Sequence, residues 1–205
     1  MLELRALCMG RGSLRWQHDF KLERGQIMAL MGPSGAGKST LLECLGGFVP
    51  PLAGEILLDG RSLQDVRAED RPVATLFQQH NLFEHISVAH NLRLGFNQGR
   101  PSTIQWQRVE AACEHLGVAS LLGRLPGELS GGQRQRIGLI RTVLREQPLI
   151  LLDEPFGALD AEARVVAGDW VRAEIDHGTK MLIFVTHEID DAQRWANQTL
   201  VIGLP

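Results

Sequence analysis

The sequence predicts an α/β fold built on a parallel β-sheet. Continuously apolar runs lie within 27–31, 149–152 and 181–187, and segments with helical spacing separate them. Strands that are buried on both faces have unbroken apolar runs of this kind. Strands that alternate with helices favour a parallel sheet, because each helix carries the chain back across the sheet.

The first 60 residues are predicted to hold short strands around one helix. Segments 1–6 and 14–22 are predicted as short edge strands. Segment 39–48 has helical spacing that glycine and proline end, so a helix is predicted there. Segment 54–60 closes with Asp-Gly, a turn signal, and is predicted as another strand.

The middle of the chain changes character. No strong strand pattern is present from 79 to 147, and helical spacing recurs at 86–95, 104–117 and 132–146. We interpret 1–205 as a single domain with a core at 1–78 and 148–205 and a helical subdomain at 79–147. The alternation resumes after it, with a helix at 160–177 and a fourth buried strand at 199–203.

The composition excludes several classes of protein. A net charge of −3 does not favour nucleic acid as a partner. Cys8, Cys44 and Cys113 are far apart and match no zinc spacing, so they are predicted as free thiols in a reducing compartment. No apolar run approaches the roughly 18 residues of a membrane span, and no signal peptide is recognised. We therefore expect a cytoplasmic protein, held at a membrane only by a partner.

Segment 32–39, GPSGAGKS, matches the phosphate-binding pattern G-x-x-x-x-G-K-[ST] at every fixed position, between a predicted strand and a predicted helix. Its glycines let successive backbone N–H groups point inward at an anion. Lys38 is expected to reach the β- and γ-phosphates, and the Ser39 hydroxyl to bind Mg²⁺. The predicted nucleotide-binding residues are Gly32, Pro33, Ser34, Gly35, Ala36, Gly37, Lys38, Ser39 and Thr40.

Four polar residues are predicted to act near the γ-phosphate. Asp153 ends a buried strand, at the edge where open α/β sheets bind ligands, and is expected on the Mg²⁺ side. Glu154 follows it and is the candidate general base for an attacking water. His187 ends the strand at 181–187, at the same sheet edge. Gln78, after the run VATLF, is expected to contact Mg²⁺ or the water.

Segment 129–133 reads LSGGQ, and GALD follows at 157–160. With GPSGAGKST, Gln78, LLDEP and His187, in this order, the chain resembles the ATP-binding cassette ATPases over nearly its whole length. The resemblance implies a P-loop NTPase fold with a RecA-like parallel sheet core, a short antiparallel β subdomain and an inserted α-helical subdomain. It also implies ATP and Mg²⁺ as ligands and ATP hydrolysis as the reaction.

The same resemblance implies a homodimer in which two copies pack head to tail. Ser130, Gly131 and Gly132, with Gln133 beside them, would bind the γ-phosphate of the ATP held by the other copy. Asp160 would lie at the interface and couple the two sites. The family's adenine-stacking aromatic residue is replaced by Arg11, so either the Arg11 guanidinium or Trp16 is expected to stack on the base.

Segments 72–92 and 124–136 resemble importer ATPases for small solutes, and their sequences are most similar to those of thiamine importers. Putrescine, iron(III), sulfate and molybdate importers share much of the pattern. The resemblance implies membrane permease partners, an indirect link to a solute-binding protein, and a place on the cytoplasmic face of the inner (plasma) membrane. Leu82, Phe83 and Phe96 are candidate permease contacts, with ordinary core packing an equally open interpretation.

A cassette without a membrane partner is the alternative. DNA-repair members carry a long coiled-coil insertion, whereas only about 50 residues separate Gln78 from LSGGQ here. Translation members carry two cassettes in one chain. A GTPase would need an Asn-Lys-x-Asp base reader, which is absent from the sequence, and LSGGQ has no role in a P-loop kinase.

Overall fold

The computed structural model describes residues 1–78 and 82–203. Its strands are β1 (Leu2–Arg11), β2 (Leu14–Leu22), β3 (Ile27–Met31), β4 (Ala53–Leu58), β5 (Arg61–Ser62), β6 (Val73–Leu76), β7 (Leu149–Asp153), β8 (Met181–Val185) and β9 (Gln198–Val201). Its α-helices are α1 (Lys38–Gly46), α2 (Val88–Arg93), α3 (Thr103–His115), α4 (Gly131–Val143), α5 (Ala161–Asp176) and α6 (Ile189–Trp195). Among the described residues, no helix is long and apolar enough to cross a membrane.

The chain divides into two compact units. The first comprises Met1–Thr75, Gln147–Glu154 and the chain from Ile175 onward, and the second comprises Leu76–Glu146 and Pro155–Glu174. The first unit contains the β-sheets, and the second is helical apart from the end of β6. The predicted domain boundaries, with a core at 1–78 and 148–205, stay a prediction.

The parallel sheet has the strand order β6-β7-β8-β3-β9. β7 and β8 are buried along their whole lengths, as their unbroken apolar sequences predict. The prediction of a fourth buried strand at 199–203 is wrong, since β9 lies at the sheet edge and Val201 is 70% exposed. The residues of β9 alternate between partial burial and exposure, because successive side chains of a strand point to opposite faces of the sheet.

A separate antiparallel sheet has the order β2-β1-β4-β5. The prediction of an edge strand at 1–6 is wrong, because β1 extends to Arg11 and lies between β2 and β4. β1 contains a β-bulge. Leu4 pairs with Phe20 and Leu7 pairs with His18, so one extra residue lies on β1. The bulge shifts the alternation by one position, which keeps the apolar side chains of both halves of β1 in the core.

Candidate functional site

The glycine-rich loop at 32–37 joins β3 to α1, as predicted. Gly32, Gly35 and Gly37 have φ of 146°, 82° and 91°, the region that side chains rarely adopt. A Cβ at Gly32 would lie 2.1 Å from the carbonyl oxygen of Ile202, and one at Gly37 would lie 2.7 Å from the Trp16 ring. Backbone angle and close packing therefore both require glycine in this loop.

The N-terminus of α1 is not capped by a side chain. Gly37 is its N-cap residue and supplies no side-chain hydrogen bond, and the first turn carries no acidic residue. The first N–H groups of a helix have no intrahelical partners, and the helix dipole adds positive potential there. This end of α1 therefore suits a phosphate group.

Lys38 lies back across the loop. Its side chain is buried, and Nζ donates hydrogen bonds to the carbonyl oxygens of Gly32 at 2.8 Å and Pro33 at 2.9 Å. Burial lowers the pKa of Lys38, while the charges of Glu154 and Asp153 act in the opposite direction. The ammonium group is thus held beside the loop with carboxylates near it. The negative charge of a triphosphate would compensate for the loss of hydration that burial imposes on this ammonium group.

Asp153 is the last residue of β7 and is buried. Burial raises the pKa of its carboxyl, and a hydrogen bond from Ser39 acts against that rise. A carboxylate and a hydroxyl are hard oxygen ligands of the kind that Mg²⁺ prefers, usually with waters and phosphate oxygens completing the octahedron. The Ser39–Asp153 pair therefore fits a magnesium ion, whose positive charge would offset the desolvation of the carboxylate.

Glu154 and His187 are in contact, a pairing that the sequence alone did not predict. His187 Nε2 lies 2.8 Å from Glu154 Oε1. An ionised carboxylate only accepts hydrogen bonds, so with Glu154 charged His187 donates from Nε2. Glu154 has a φ of 48°, a strained conformation for a residue with a side chain. Such strain is often found at functional sites, because the surrounding structure must hold it in place.

The LSGGQ segment forms a different helix start. Ser130 is the N-cap of α4, and its Oγ accepts a hydrogen bond from the Gln133 N–H while Gln133 Oε1 accepts one from the Ser130 N–H. Gly131 and Gly132 form the first turn of the helix. A Cβ at Gly132 would lie 3.1 Å from the carbonyl oxygen of Ala158, so glycine permits close approach of the GALD segment.

Asp160 has a structural role in the described fold. Its Oδ1 accepts a hydrogen bond of 2.9 Å from the Ala163 N–H, in the first turn of α5. Gln78 is exposed, two residues beyond β6. The functional roles predicted for Asp160 and Gln78 stay predictions.

The two candidates for adenine stacking differ in exposure. Arg11 is exposed at the end of β1, where it pairs with Leu14 across the hairpin. Trp16 is only 7% exposed, and its ring lies against Gly37. The Trp16 alternative is therefore wrong for this conformation, because a buried ring has no free face for a base. The Arg11 alternative stays a prediction.

Two residues that support α1 were not predicted. Trp16 packs behind the loop at Gly37, for which the only sequence signal is its inward position in the alternation of β2. Arg71 is buried and its Nη1 donates to the carbonyl oxygens of Cys44 and Leu45, both at 2.8 Å, at the other end of α1. No local pattern indicates this contact, since 26 or 27 residues separate the partners.

Comparison with known proteins identifies the family. The family model described as "ABC transporter" matches residues 17–157. The chain belongs to the ATP-binding cassette family. It is therefore an ATP-binding ATPase with the P-loop NTPase fold, and the resemblance that the motifs indicated is confirmed.

Similar proteins cover nearly the whole cassette. The thiamine import ATP-binding protein ThiQ of Escherichia coli K12 is 41% identical over 204 residues, 99% of this chain and 88% of that protein. The ThiQ of Shigella flexneri serotype 5b is 42% identical over 191 residues, 93% of this chain and 82% of that protein.

Solved structures match the cassette equally fully. An ATP-binding subunit of an ABC transporter superposes with a TM-score of 0.88 at 26% identity, covering 99% of this chain and 87% of that one. A dimeric bacterial ABC transporter cassette superposes with a TM-score of 0.84 at 25% identity, covering 99% and 94%.

Proposed function

We propose that this cassette is the ATP-hydrolysing subunit of a bacterial importer whose cargo is thiamine. The assignment of thiamine as the cargo rests on the 41% identity, over 99% of the chain, with thiamine import ATP-binding proteins. The P-loop with its uncapped helix and the Glu154–His187 contact supply the hydrolytic part of the proposal. Polyamine, iron(III) and oxyanion importers are the competing assignments of cargo.

Nucleotide binding is assigned to the loop from Gly32 to Thr40. The α1 N–H groups and Lys38 Nζ bind the phosphates, and Lys38 exchanges its bonds with the Gly32 and Pro33 carbonyls for phosphate oxygens. Ser39 and Asp153 would hold Mg²⁺, with Gln78 as a further oxygen ligand. When bound, Mg²⁺ would neutralise charge on the phosphates. Arg11 would stack its planar guanidinium on adenine.

The proton of the attacking water is assigned to Glu154. The Glu154 carboxylate, which His187 Nε2 contacts at Oε1, would accept this proton. His187 keeps the carboxylate oriented beside the γ-phosphate. Gln78 would orient the water from the start of the helical segment.

The segment Ser130–Gln133 is assigned to the ATP of a second copy, in a head-to-tail homodimer. The capping box holds the first turn of α4 in shape while the Gly131 N–H is on an exposed residue. An exposed helix N-terminus of this kind attracts a phosphate. Asp160, at the start of α5, would couple the two ATP sites across the dimer.

The partners follow from the importer assignment. The cassette would lie on the cytoplasmic face of the inner membrane and bind permease subunits, which in turn meet a solute-binding protein; nucleic acid has no role. Leu82, Phe83 and Phe96 are the proposed permease contacts. Phe83 is 51% exposed, and Leu82 and Phe96 are half-buried.

Uptake of labelled thiamine at nanomolar concentration tests this function. Cells whose only copy of the chain carries Glu154→Gln are compared with cells carrying the unchanged chain and with a Glu55→Gln control, an exposed carboxylate on β4. Loss of uptake with Glu154→Gln alone would support the proposal. Equal thiamine uptake in all three would refute the cargo, and uptake of polyamines and oxyanions would then be measured in the same cells.

A further inference from the structure

The second unit contains a fully buried polar residue outside the nucleotide site. Asn91, on α2, is 0% exposed. Its Oδ1 accepts a hydrogen bond of 2.8 Å from the Phe83 N–H, and its Nδ2 donates to the carbonyl oxygens of Phe83, Ile86 and Ser87 at 3.0, 3.1 and 3.2 Å. Buried amides are retained where every polar atom is satisfied, and Asn91 meets that condition through main-chain groups.

These hydrogen bonds hold the segment 83–87 in its conformation, a task that a helix or strand performs elsewhere. The segment has no helix or strand of its own, and α2, which follows it, has only six residues. So short a helix is not stable alone, so α2 and the segment depend on tertiary contacts. Both main-chain groups of Phe83 bind one side chain, which fixes its backbone while its ring stays half exposed.

Helix α4 contacts the same segment at two points. The Arg141 guanidinium lies 5.7 Å from the centre of the Phe83 ring, and its Nη1 donates to Asn91 Oδ1 at 3.3 Å. Directly after LSGGQ, Arg134 Nη1 forms an ion pair of 2.8 Å with Glu84. Burial lowers the pKa of Arg141 to about 10, so its guanidinium is still charged at neutral pH.

The packing of α2 on α4 leaves little space for slippage. A Cβ at Gly95, just beyond α2, would lie 2.9 Å from the carbonyl oxygen of Arg141. The backbones thus approach as closely as glycine allows. Helix α4 contacts the segment 83–87 and α2 through Arg134 and Arg141, so we expect the helix and the segment to move together.

We propose that Asn91 and Arg141 are positioning residues that join the segment 83–87 to α4, so that ATP bound at Ser130–Gly132 restrains this segment. The proposal rests on the function assigned to LSGGQ above. It extends that function by naming the contacts that transmit the effect to Phe83, one of the proposed permease contacts. A purely structural role would stabilise the segment equally with and without ATP.

Hydrogen exchange of the full chain, with and without Mg-ATP, tests the coupling. The Glu154→Gln background retains ATP, and peptides covering 82–87 and 129–134 are followed by mass spectrometry. We expect ATP to slow exchange in both peptides, and in 82–87 by about three- to tenfold, the equivalent of one hydrogen bond. Adding Asn91→Ala or Arg141→Lys should remove the ATP effect from 82–87 only.

A matched control is available in the same unit. Arg93 lies 4.5 Å from the centre of the Trp106 ring, a cation–π contact like that of Arg141, so Arg93→Lys should leave both ATP effects unchanged. Arg141→Lys keeps the charge but loses the planar face, and it replaces Asn91→Ala if that variant does not fold.

The outcomes separate the two proposals. Slowing at 129–134 without slowing at 82–87 would overturn the coupling and leave the role of LSGGQ standing. An ATP effect at 82–87 that persists in Arg141→Lys and Asn91→Ala would also overturn it. No slowing at 129–134 would refute the assignment of LSGGQ to ATP, and the coupling that rests on it.

Discussion

The two glycine-rich segments of this cassette lead into helices by opposite means. At 32–37 three glycines adopt positive φ, and α1 begins at Gly37 without a side-chain cap. At 129–133 the two glycines lie at a regular helix start, and α4 begins at Ser130 with a reciprocal cap from Gln133. The start of α1 has no side-chain cap and so suits a ligand, whereas the start of α4 satisfies part of its own N–H groups through Ser130 and Gln133.

The difference shows that glycine serves two physical purposes here. In the first segment the backbone angle itself requires glycine, because an L-residue with φ near 90° is strained. In the second segment Gly132 permits close approach of the Ala158 carbonyl. We therefore expect substitutions in the first segment to damage the protein's own fold and nucleotide site, whereas a substitution at Gly131 in the second segment, where a Cβ has room, should spare the fold.

Lys38→Ala should produce the largest loss. Removal of the ammonium group that is proposed to bind the phosphates is expected to lower ATP turnover at least about a hundredfold and to weaken ATP binding by the isolated subunit. Steady-state ATPase assays and nucleotide titration measure both. Lys21→Ala, an exposed lysine paired with Glu3, is the control and should keep normal turnover. Normal turnover in Lys38→Ala would contradict the assigned site.

Glu154→Gln should separate binding from chemistry. Loss of the proposed general base is expected to lower turnover by about a hundredfold or more, while ATP binding is retained. Size-exclusion chromatography with ATP should then show a dimer that Glu55→Gln does not accumulate. Turnover at the unchanged rate would mean that another group accepts the proton.

A pair of glycine substitutions tests the comparison directly. Gly37→Ala combines a positive φ with a clash against Trp16, so it should lower the free energy of unfolding by about 2–5 kcal/mol. Gly131→Ala adds a methyl group at a helical position, where the nearest atom is the Ala158 Cβ at 3.9 Å. It should leave stability unchanged or raise it by up to about 1 kcal/mol. Urea unfolding measures both changes in stability. Equal destabilisation would contradict the different roles of glycine in the two segments.

Ser130→Ala should destabilise the protein by about 1 kcal/mol through loss of a helix cap. Its matched control is Ser102→Ala, because Ser102 caps α3 with the same reciprocal contact to a glutamine. Both variants should lose similar stability, but only Ser130→Ala should also lose ATP turnover, with ATP binding to the isolated subunit retained. Loss of that binding would place LSGGQ in its own chain's site.

The smallest effect concerns the support behind the first segment. His18 lies on the same face of β2 as Trp16, and within the described part of the chain its buried Nε2 has no hydrogen-bond partner. Burial lowers its pKa below the ordinary value of 6.5. The unfolded chain therefore binds a proton first, so stability should fall as pH falls below about 6.5.

His18→Phe is the variant that checks this pH dependence. Thermal unfolding between pH 7.5 and pH 5.5 should show a flatter pH dependence for His18→Phe than for the unchanged chain. His177→Gln changes an exposed histidine and serves as the control, with the pH dependence of the unchanged chain. An identical slope in His18→Phe would assign the pH dependence to other groups.

Features that depend on neighbouring residues could be predicted from the sequence alone. The P-loop, the Asp153–Glu154 pair after a buried strand, and LSGGQ before a helix are contiguous patterns, and their local structure is as predicted. Apolar runs located β7 and β8 for the same reason, since burial on both faces leaves a mark on every residue. Asp153 and His187 were expected at one edge because parallel strands end there, but the contact of Glu154 with His187 is seen only in the structure.

Features that depend on residues far apart in the sequence could be seen only in the folded structure. The bulge in β1 and the edge position of β9 are set by strand neighbours, which a single segment does not reveal. Trp16 is an exposed-looking residue of a hairpin until Gly37 is packed against it. Asn91 is one polar residue in a helical pattern until the chain folds, when its amide replaces the missing hydrogen bonds of 83–87. Burial and hydrogen-bond satisfaction are properties of the assembled fold, and a linear pattern records only the part of them that repeats along the chain.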